Sequence, residues 1–394
     1  MNRSLSRALT LVLGLLFVAV GVGAASGPFG TTASSSRGLQ LGIYDDSEVF
    51  GHPSRAFPLL KELHAPILRA NLRWGGALLS VATRRPDNGA DPADPAYNWG
   101  PFDEMMKRAG DANIKVIATI IGTPPWANGG KARNVPPKNA NDLREFAAAA
   151  AKRYSGDYVP GGSDQPLPAI RLWLAWNEPN NPVFIVPQFK KVGSRNVIAS
   201  AASYAKICNA IVTGVHSTGI KGEKVACGAT APRGNNRARS LRPSVTPLAF
   251  LAALKKAGAR FDVYAHHPYY SGPSESPSTP PKPKGSGAVT LGNIGDLLAL
   301  LKQLYGGSKH LWITEYGYQT KPPDPIFGVS YAKQAEYLSQ AVSIMRKNPR
   351  IDIMTWFLLR DDARIKKGWQ SGLISAAGKK KPAFATFSRL ARHH

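Results

Sequence analysis

The sequence predicts an α/β chain of the (β/α)8 type, a TIM barrel, on three observations. From Leu41 to the carboxyl end, eight short β-prone apolar runs alternate with eight helix patterns. The connections between runs are long enough to hold helices, which makes the strands parallel. Eight is also the strand number that closes a barrel whose interior is filled by side chains. An open doubly wound sheet competes, but no G-x-G-x-x-G turn follows the first run, as its usual nucleotide role would need.

The elements follow in order. The first strand pattern covers residues 41–44, with a helix at 54–64; the second covers 66–72, with a helix at 102–112 after a long polar loop. The third strand is 115–121, and its helix is expected to begin at Asp142, which with Glu145 reads as a capping box. Residues 170–176 form the fourth strand, a mostly apolar run of the kind found where a parallel strand is covered on both faces. A long loop and a helix at 197–215 come next. The fifth strand is 224–230 with a helix at 248–257, and the sixth is 261–265. The segment 271–287, rich in Pro, Ser and Gly, is expected to be a mobile surface excursion before a helix at 294–304. Strand seven is 311–314 with a helix at 331–346, and strand eight is 352–358 with a closing helix at 383–392.

The start of the chain stands apart. Arg3 and Arg7 precede an apolar run at 9–22 and small residues at Gly23, Ala24, Ala25 and Ser26, the pattern of a secretory signal peptide over residues 1–25. An uncleaved amino-terminal anchor is the competing reading, because the run falls only a little short of spanning length. Residues 26–37 read as a Gly/Ser/Thr-rich linker, and 38–394 as a single barrel domain. The expected product is secreted or associated with the cell envelope, monomeric, and without a stable membrane span once cleaved. Cys208, in a helix pattern, and Cys227, in a strand pattern, can pair in such a protein or be two buried small apolar side chains.

Fifty Lys and Arg against 25 Asp and Glu give a net charge of +25, which favours anionic partners such as an acidic glycan or the envelope. The basic residues are scattered and no nucleic-acid motif accompanies them, so a nucleic-acid partner is not expected.

Chemistry in such a barrel sits where the strands end. Two strand ends stand out. Strand four runs into Trp176-Asn177-Glu178-Pro179-Asn180, where Pro179 disfavours continuing the ladder. Strand seven runs into Thr314-Glu315-Tyr316-Gly317, where glycine frees the backbone to turn. Two carboxylates facing one cleft are what glycoside hydrolysis needs. The remaining strand ends offer Arg69 and Arg73, Trp126, His266, His267 and Tyr269, and Trp356. His266 and His267 suggest a metal, but no third ligand stands at useful spacing, so neither metal nor cofactor is expected.

This layout resembles clan A of the glycoside hydrolases, most closely families 5 and 39. Asn177-Glu178-Pro179 matches the clan's Asn-Glu pair, and Ile313-Thr314-Glu315-Tyr316-Gly317 matches its strand-seven segment. Arg69, His267-Pro268-Tyr269 and Trp356 fall in order beside them. The resemblance implies a retaining O-glycosyl hydrolase acting on a carbohydrate, with Glu178 as acid/base and Glu315 as nucleophile. Residue chemistry agrees. Arg69 and Tyr269 are suited to hold an ionised nucleophile, and an aromatic wall such as Trp176 to keep the acid protonated. Asn177 is suited to bind the sugar 2-hydroxyl. Trp126, Trp356 and Trp369 offer flat faces for sugar rings, and Asn180 a polar contact. Two alternatives stay open: a transglycosylase using the same two glutamates, and a non-catalytic glycan-binding barrel. The long loops after strands four and six depart from the clan pattern.

Overall fold

The computed structural model describes residues 38–365 and 368–392. The expected signal peptide and linker, residues 1–37, lie outside them. In chain order the strands are β1 (Gln40–Tyr44), β2 (Ile67–Arg73), β3 (Lys115–Ile121), β4 (Leu172–Ala175), β5 (Phe189–Val192), β6 (Arg195–Ile198), β7 (Lys224–Thr230), β8 (Val263–His266), β9 (His310–Tyr316) and β10 (Ile351–Phe357). Eight of them close into a parallel barrel in the order β1-β10-β9-β8-β7-β4-β3-β2, while β5 and β6 pair apart from it. The helices are α1 (Asp46–Gly51), α2 (Pro53–Glu62), α3 (Gly100–Asp111), α4 (Pro125–Asn128), α5 (Ala140–Arg153), α6 (Ser200–His216), α7 (Pro247–Lys256), α8 (Ile294–Tyr305), α9 (Tyr331–Arg346) and α10 (Pro382–Arg392). Among the described residues, no helix is long and apolar enough to cross a membrane.

The two-residue period of a strand explains where the site forms. Ile67, Ile117, Leu174, Val263, Ala265, Trp312 and Ile353 belong to a small apolar cluster separate from the main core. Two residues further along four of those strands stand Arg69, Thr119, Thr314 and Thr355, all buried and polar. Two residues beyond Ala265 is His267, also buried. An apolar layer therefore carries a polar layer on the side where the strands end. The main core is a larger cluster that joins helix residues such as Phe146, Ala150, Ile207 and Ile211 to outward-facing strand residues such as Leu68 and Val116.

Several expectations are corrected. The helix expected at 197–215 begins only at Ser200, and the antiparallel β5–β6 hairpin precedes it. The signal was present, because Gly193-Ser194 between two strand-like runs is a two-residue hairpin turn and Gly193 takes φ 59°. The cap of α5 is Asn139, whose side chain accepts from the Asn141 N–H; Asp142 instead pairs with Arg85 across 3.1 Å. The segment 271–287 is tied down rather than free. Pro277 and Pro281 are buried, Glu275 pairs with Arg233, and the Tyr318 hydroxyl donates to the Glu275 carbonyl.

Cys208 on α6 and Cys227 on β7 form a disulfide, both fully buried, which fastens a helix to the barrel wall. Closing 19 residues of chain separation removes loop entropy from the unfolded state worth about 3 kcal/mol. A Cys208→Ala/Cys227→Ala double variant is expected to lose about that much stability in denaturant titration. An unchanged midpoint would show that the covalent link adds nothing to the core it crosses.

Candidate active site

Glu178 follows β4 and Glu315 lies within β9, and the two side chains meet over the polar layer. One oxygen of each carboxyl and a ring nitrogen of His267 lie within 4.8 Å of one another. The end of β4 is bent to achieve this. Trp176 and Glu178 take φ of 67° and 36°, a region non-glycine residues seldom occupy. Backbone bonds to both neighbouring strands hold the bend, from Trp176 N–H to the Ile120 carbonyl and from Glu178 N–H to the Ala229 carbonyl, each 2.9 Å.

Arg69 joins the parts. Its Nη1 donates to Glu315 Oε1 at 2.7 Å and to the Thr314 carbonyl at 2.8 Å. Nη2 donates to Asn177 Oδ1 at 2.6 Å, and Nε to the Thr119 hydroxyl at 3.1 Å. The guanidinium also lies over the Tyr44 ring, 4.2 Å from its centroid. The second oxygen of Glu315 accepts from the Tyr269 hydroxyl at 3.2 Å. Burial, with the neighbouring glutamates, pushes the Tyr269 phenol well above its ordinary range, so it remains a donor. Because Asn177 gives its oxygen to Arg69, its amide N–H groups are left as the donors toward a ligand.

Glu178 has different surroundings. Its side chain is 14% exposed, Oε1 lies 3.1 Å from His267 Nδ1, and Oε2 accepts from Asn181 Nδ2 at 3.0 Å. Burial raises its pKa to about 7, with Asn181, Arg69 and Arg242 pulling the other way. His267 is fully buried and burial lowers its pKa to about 4, so it is neutral near pH 7. Its Nε2 lies 3.0 Å from the Thr314 hydroxyl. With Glu178 ionised, Nδ1–H donates to the carboxylate and Nε2 accepts from Thr314; with Glu178 protonated, the carboxyl can donate to Nδ1 instead.

The other expected residues divide. Trp369 is 44% exposed and lies 5.6 Å from the Tyr269 ring, beside the site. Trp126 is no open platform: it donates to the Ala82 carbonyl, meets Trp74 edge-on, and is covered by the Arg85 guanidinium. Trp356 is fully buried, donating to the Ser371 carbonyl, and Trp176 donates to the Phe184 carbonyl. Asn180 is buried too, bonded to backbone groups of Ala231 and Val245, so it pins the loop after β4 to the loop after β7. Sequence reasoning missed Asn181, Thr314, Thr119 and Tyr44. The two threonines follow from the strand period, and Asn181 from its place three residues after Glu178.

Glu178, His267 and Glu315 are the group among the described residues that offers metal ligands. A cation there would meet the Arg69 charge already 2.7 Å from Glu315, so the set fits paired carboxylates better than a metal centre. His266 is engaged in structure, its Nε2–H donating to the Val289 carbonyl and its Nδ1 accepting from Thr230.

The family described as glycosyl hydrolase catalytic core matches residues 164–387, which include both glutamates. The chain belongs to that family. Among solved structures, it is similar to a glucosidase from Croceicoccus marinus, with TM-score 0.62 and 14% identity over 90% of this chain and 66% of that one. A family 39 glycoside hydrolase from Bacteroides cellulosilyticus WH2 gives TM-score 0.61 and 17% identity, over 91% and 64%. A β-glucosidase from Thermotoga maritima gives TM-score 0.56 and 9% identity, over 90% and 97%. At such identities the likeness is one of fold, and the chain spans about two thirds of the length of the first two. A search of curated proteins finds no match.

The raised pKa of Glu178 predicts a pH dependence for a reaction in which this carboxyl gives a proton. A group that must give a proton loses that ability as pH rises through about 7. For substrates with poor leaving groups, kcat/KM is expected to fall above that pH, and Glu178→Gln to abolish the alkaline limb together with most of the rate. A limb that persists unchanged in the variant would assign it to another group.

Proposed function

We propose that the protein is an exported, monomeric, retaining glycosidase that cleaves β-linked poly- or oligosaccharide by double displacement. The observation that carries this reading is the pair of carboxyls with oxygens within 4.8 Å. That spacing favours the roughly 5–5.5 Å separation of retaining enzymes over the wider gap of about 6.5–9.5 Å that admits a water in inverting ones. Unequal surroundings support the division of roles. Burial lifts the Glu178 pKa to about 7, so a large share of it carries a proton at neutral pH. Glu315 lies between the Arg69 cation and the Tyr269 donor, where negative charge is favoured.

In the first step Glu178 gives its proton to the glycosidic oxygen while a Glu315 oxygen attacks the anomeric carbon, so one C–O bond forms as the other breaks. Arg69 turns Asn177 so that its amide can bind the sugar 2-hydroxyl, and Trp369 offers a face to a neighbouring ring. In the second step Glu178, now ionised, takes a proton from water as the water displaces Glu315. Export rests on the pattern at residues 1–25.

The two glutamates are distinguished by rescue. Glu178→Ala is expected to keep turning over aryl glycosides whose leaving group needs no proton, to accumulate the glycosyl-enzyme, and to give a retained glycosyl azide when azide is added. Glu315→Ala is expected to give the inverted azide. The measurement is product stereochemistry by NMR with mass analysis of the intact protein; rescue of neither variant, or the same anomer from both, overturns the assignment. Products longer than the substrate from the wild-type enzyme would mark transfer to sugar in place of water.

A further inference from the structure

One arc of the barrel mouth is strongly basic and nearly free of acids. The loops after β3, β4 and β7, three neighbours in the barrel wall, are residues 122–139, 177–199 and 231–246. They carry three, three and four Lys or Arg respectively, and their one acid is Glu178 itself. Loops elsewhere at this end do carry acids, such as Asp87, Asp91 and Asp94 after β2 and Asp324 after β9. Of the ten cations, Arg233 has a carboxylate partner, Glu275 at 3.2 Å; the other nine are not ion-paired among the described residues. Those nine are exposed, among them Arg133, Lys191, Arg195, Arg237, Arg239 and Arg242.

A cavity of about 190 Å³ opens at the inner edge of this arc, between Arg73, Arg133, Asn134, Trp176 and Phe184. It shares two elements with the glutamate pair: Asn71 and Arg73 follow Arg69 along β2 on the same face, and Trp176 stands two residues before Glu178. Backbone forms part of its wall. Gly122 takes φ 84°, and a Cβ there would lie 2.2 Å from the Gly75 carbonyl oxygen, so both the conformation and the close approach need glycine. Asp46 balances Arg73 across 2.9 Å, whereas no carboxylate among the described residues balances Arg133.

Nine unpaired cations on one side of a glycosidase cleft repel one another and leave their charge for a ligand. Six of the ten are arginine, whose planar fork fits carboxylate or sulfate oxygens two at a time. We infer that the substrate is a polyanionic glycan, its carboxylate or sulfate groups laid along the loops after β3, β4 and β7, with one seated between Arg73 and Arg133. This rests on the glycosidase reading and names the substrate class for the same site.

The test uses three matched substrates: neutral β-linked glucan oligosaccharides, the same chains oxidised at the primary hydroxyl to uronates, and sulfated forms. At low salt the wild-type enzyme is expected to show kcat/KM roughly tenfold or more higher on one charged form than on the neutral chain. That advantage should shrink as salt is added. Whether uronate or sulfate wins identifies the anionic group. Arg133→Ala and the triple variant Arg237→Ala/Arg239→Ala/Arg242→Ala are expected to raise KM on the preferred charged form more than they lower kcat. Neutral chains cleaved as well as or better than charged ones overturn the inference and leave the glycosidase reading standing. Turnover of none of the three overturns both. Nucleic acid that outcompetes the charged glycans for the enzyme would assign the basic rim to a different ligand and likewise overturn the inference.

Discussion

The site depends on one buried cation. Arg69 directs four N–H bonds at Glu315, the Thr314 carbonyl, Asn177 and Thr119, and rests its face on Tyr44. Taking a guanidinium out of water costs several kcal/mol, which returns only if its charge and donors are matched this fully. The same bonds span β2, β3 and β9 and the end of β4, so the partners that neutralise the charge are also the groups that must be aligned. Removing the cation would leave Glu315 buried and unpaired, an imbalance costing about 3–5 kcal/mol in comparable pairs.

Two chemically identical side chains thereby come to differ. Glu315 faces a cation and a phenol; Glu178 faces a neutral imidazole and an amide. For Glu178 burial outweighs the pull of Asn181, Arg69 and Arg242 and lifts its pKa to about 7. His267 links the halves, touching Glu178 with one nitrogen and Thr314, the residue before Glu315, with the other. It stays neutral because burial outweighs the attraction of Glu315.

Much of this was legible in the sequence because the barrel repeats a simple rule. Apolar runs with helix-length spacing located the eight strands, and a carboxylate at the end of an otherwise apolar run singled out Glu178 and Glu315. Arg69 was legible for the same reason, as a lone charge inside a strand pattern. What failed needed knowledge of what packs where. Trp126, Trp356 and Asn180 occupy strand ends as expected, yet neighbours distant in sequence cover them: Arg85, Ser371 and Val245. Pro277 and Pro281 suggested a loose segment, but a proline buries as readily as any small apolar side chain when a wall is available. The β5–β6 hairpin was missed because its second strand runs straight into the helix pattern that follows, although Gly193-Ser194 marked the turn.

The division of labour between strands and loops has a consequence for descent. Arg69, Thr119, Thr314, Glu315 and Thr355 sit on strands, and none owes its position to the loops after β3 or β7. Those loops can therefore lengthen, shorten or change sign over generations while the lattice beneath is inherited intact. Exchanging the loops after β3 and β7 would recast the rim and leave these strand-borne groups where they stand.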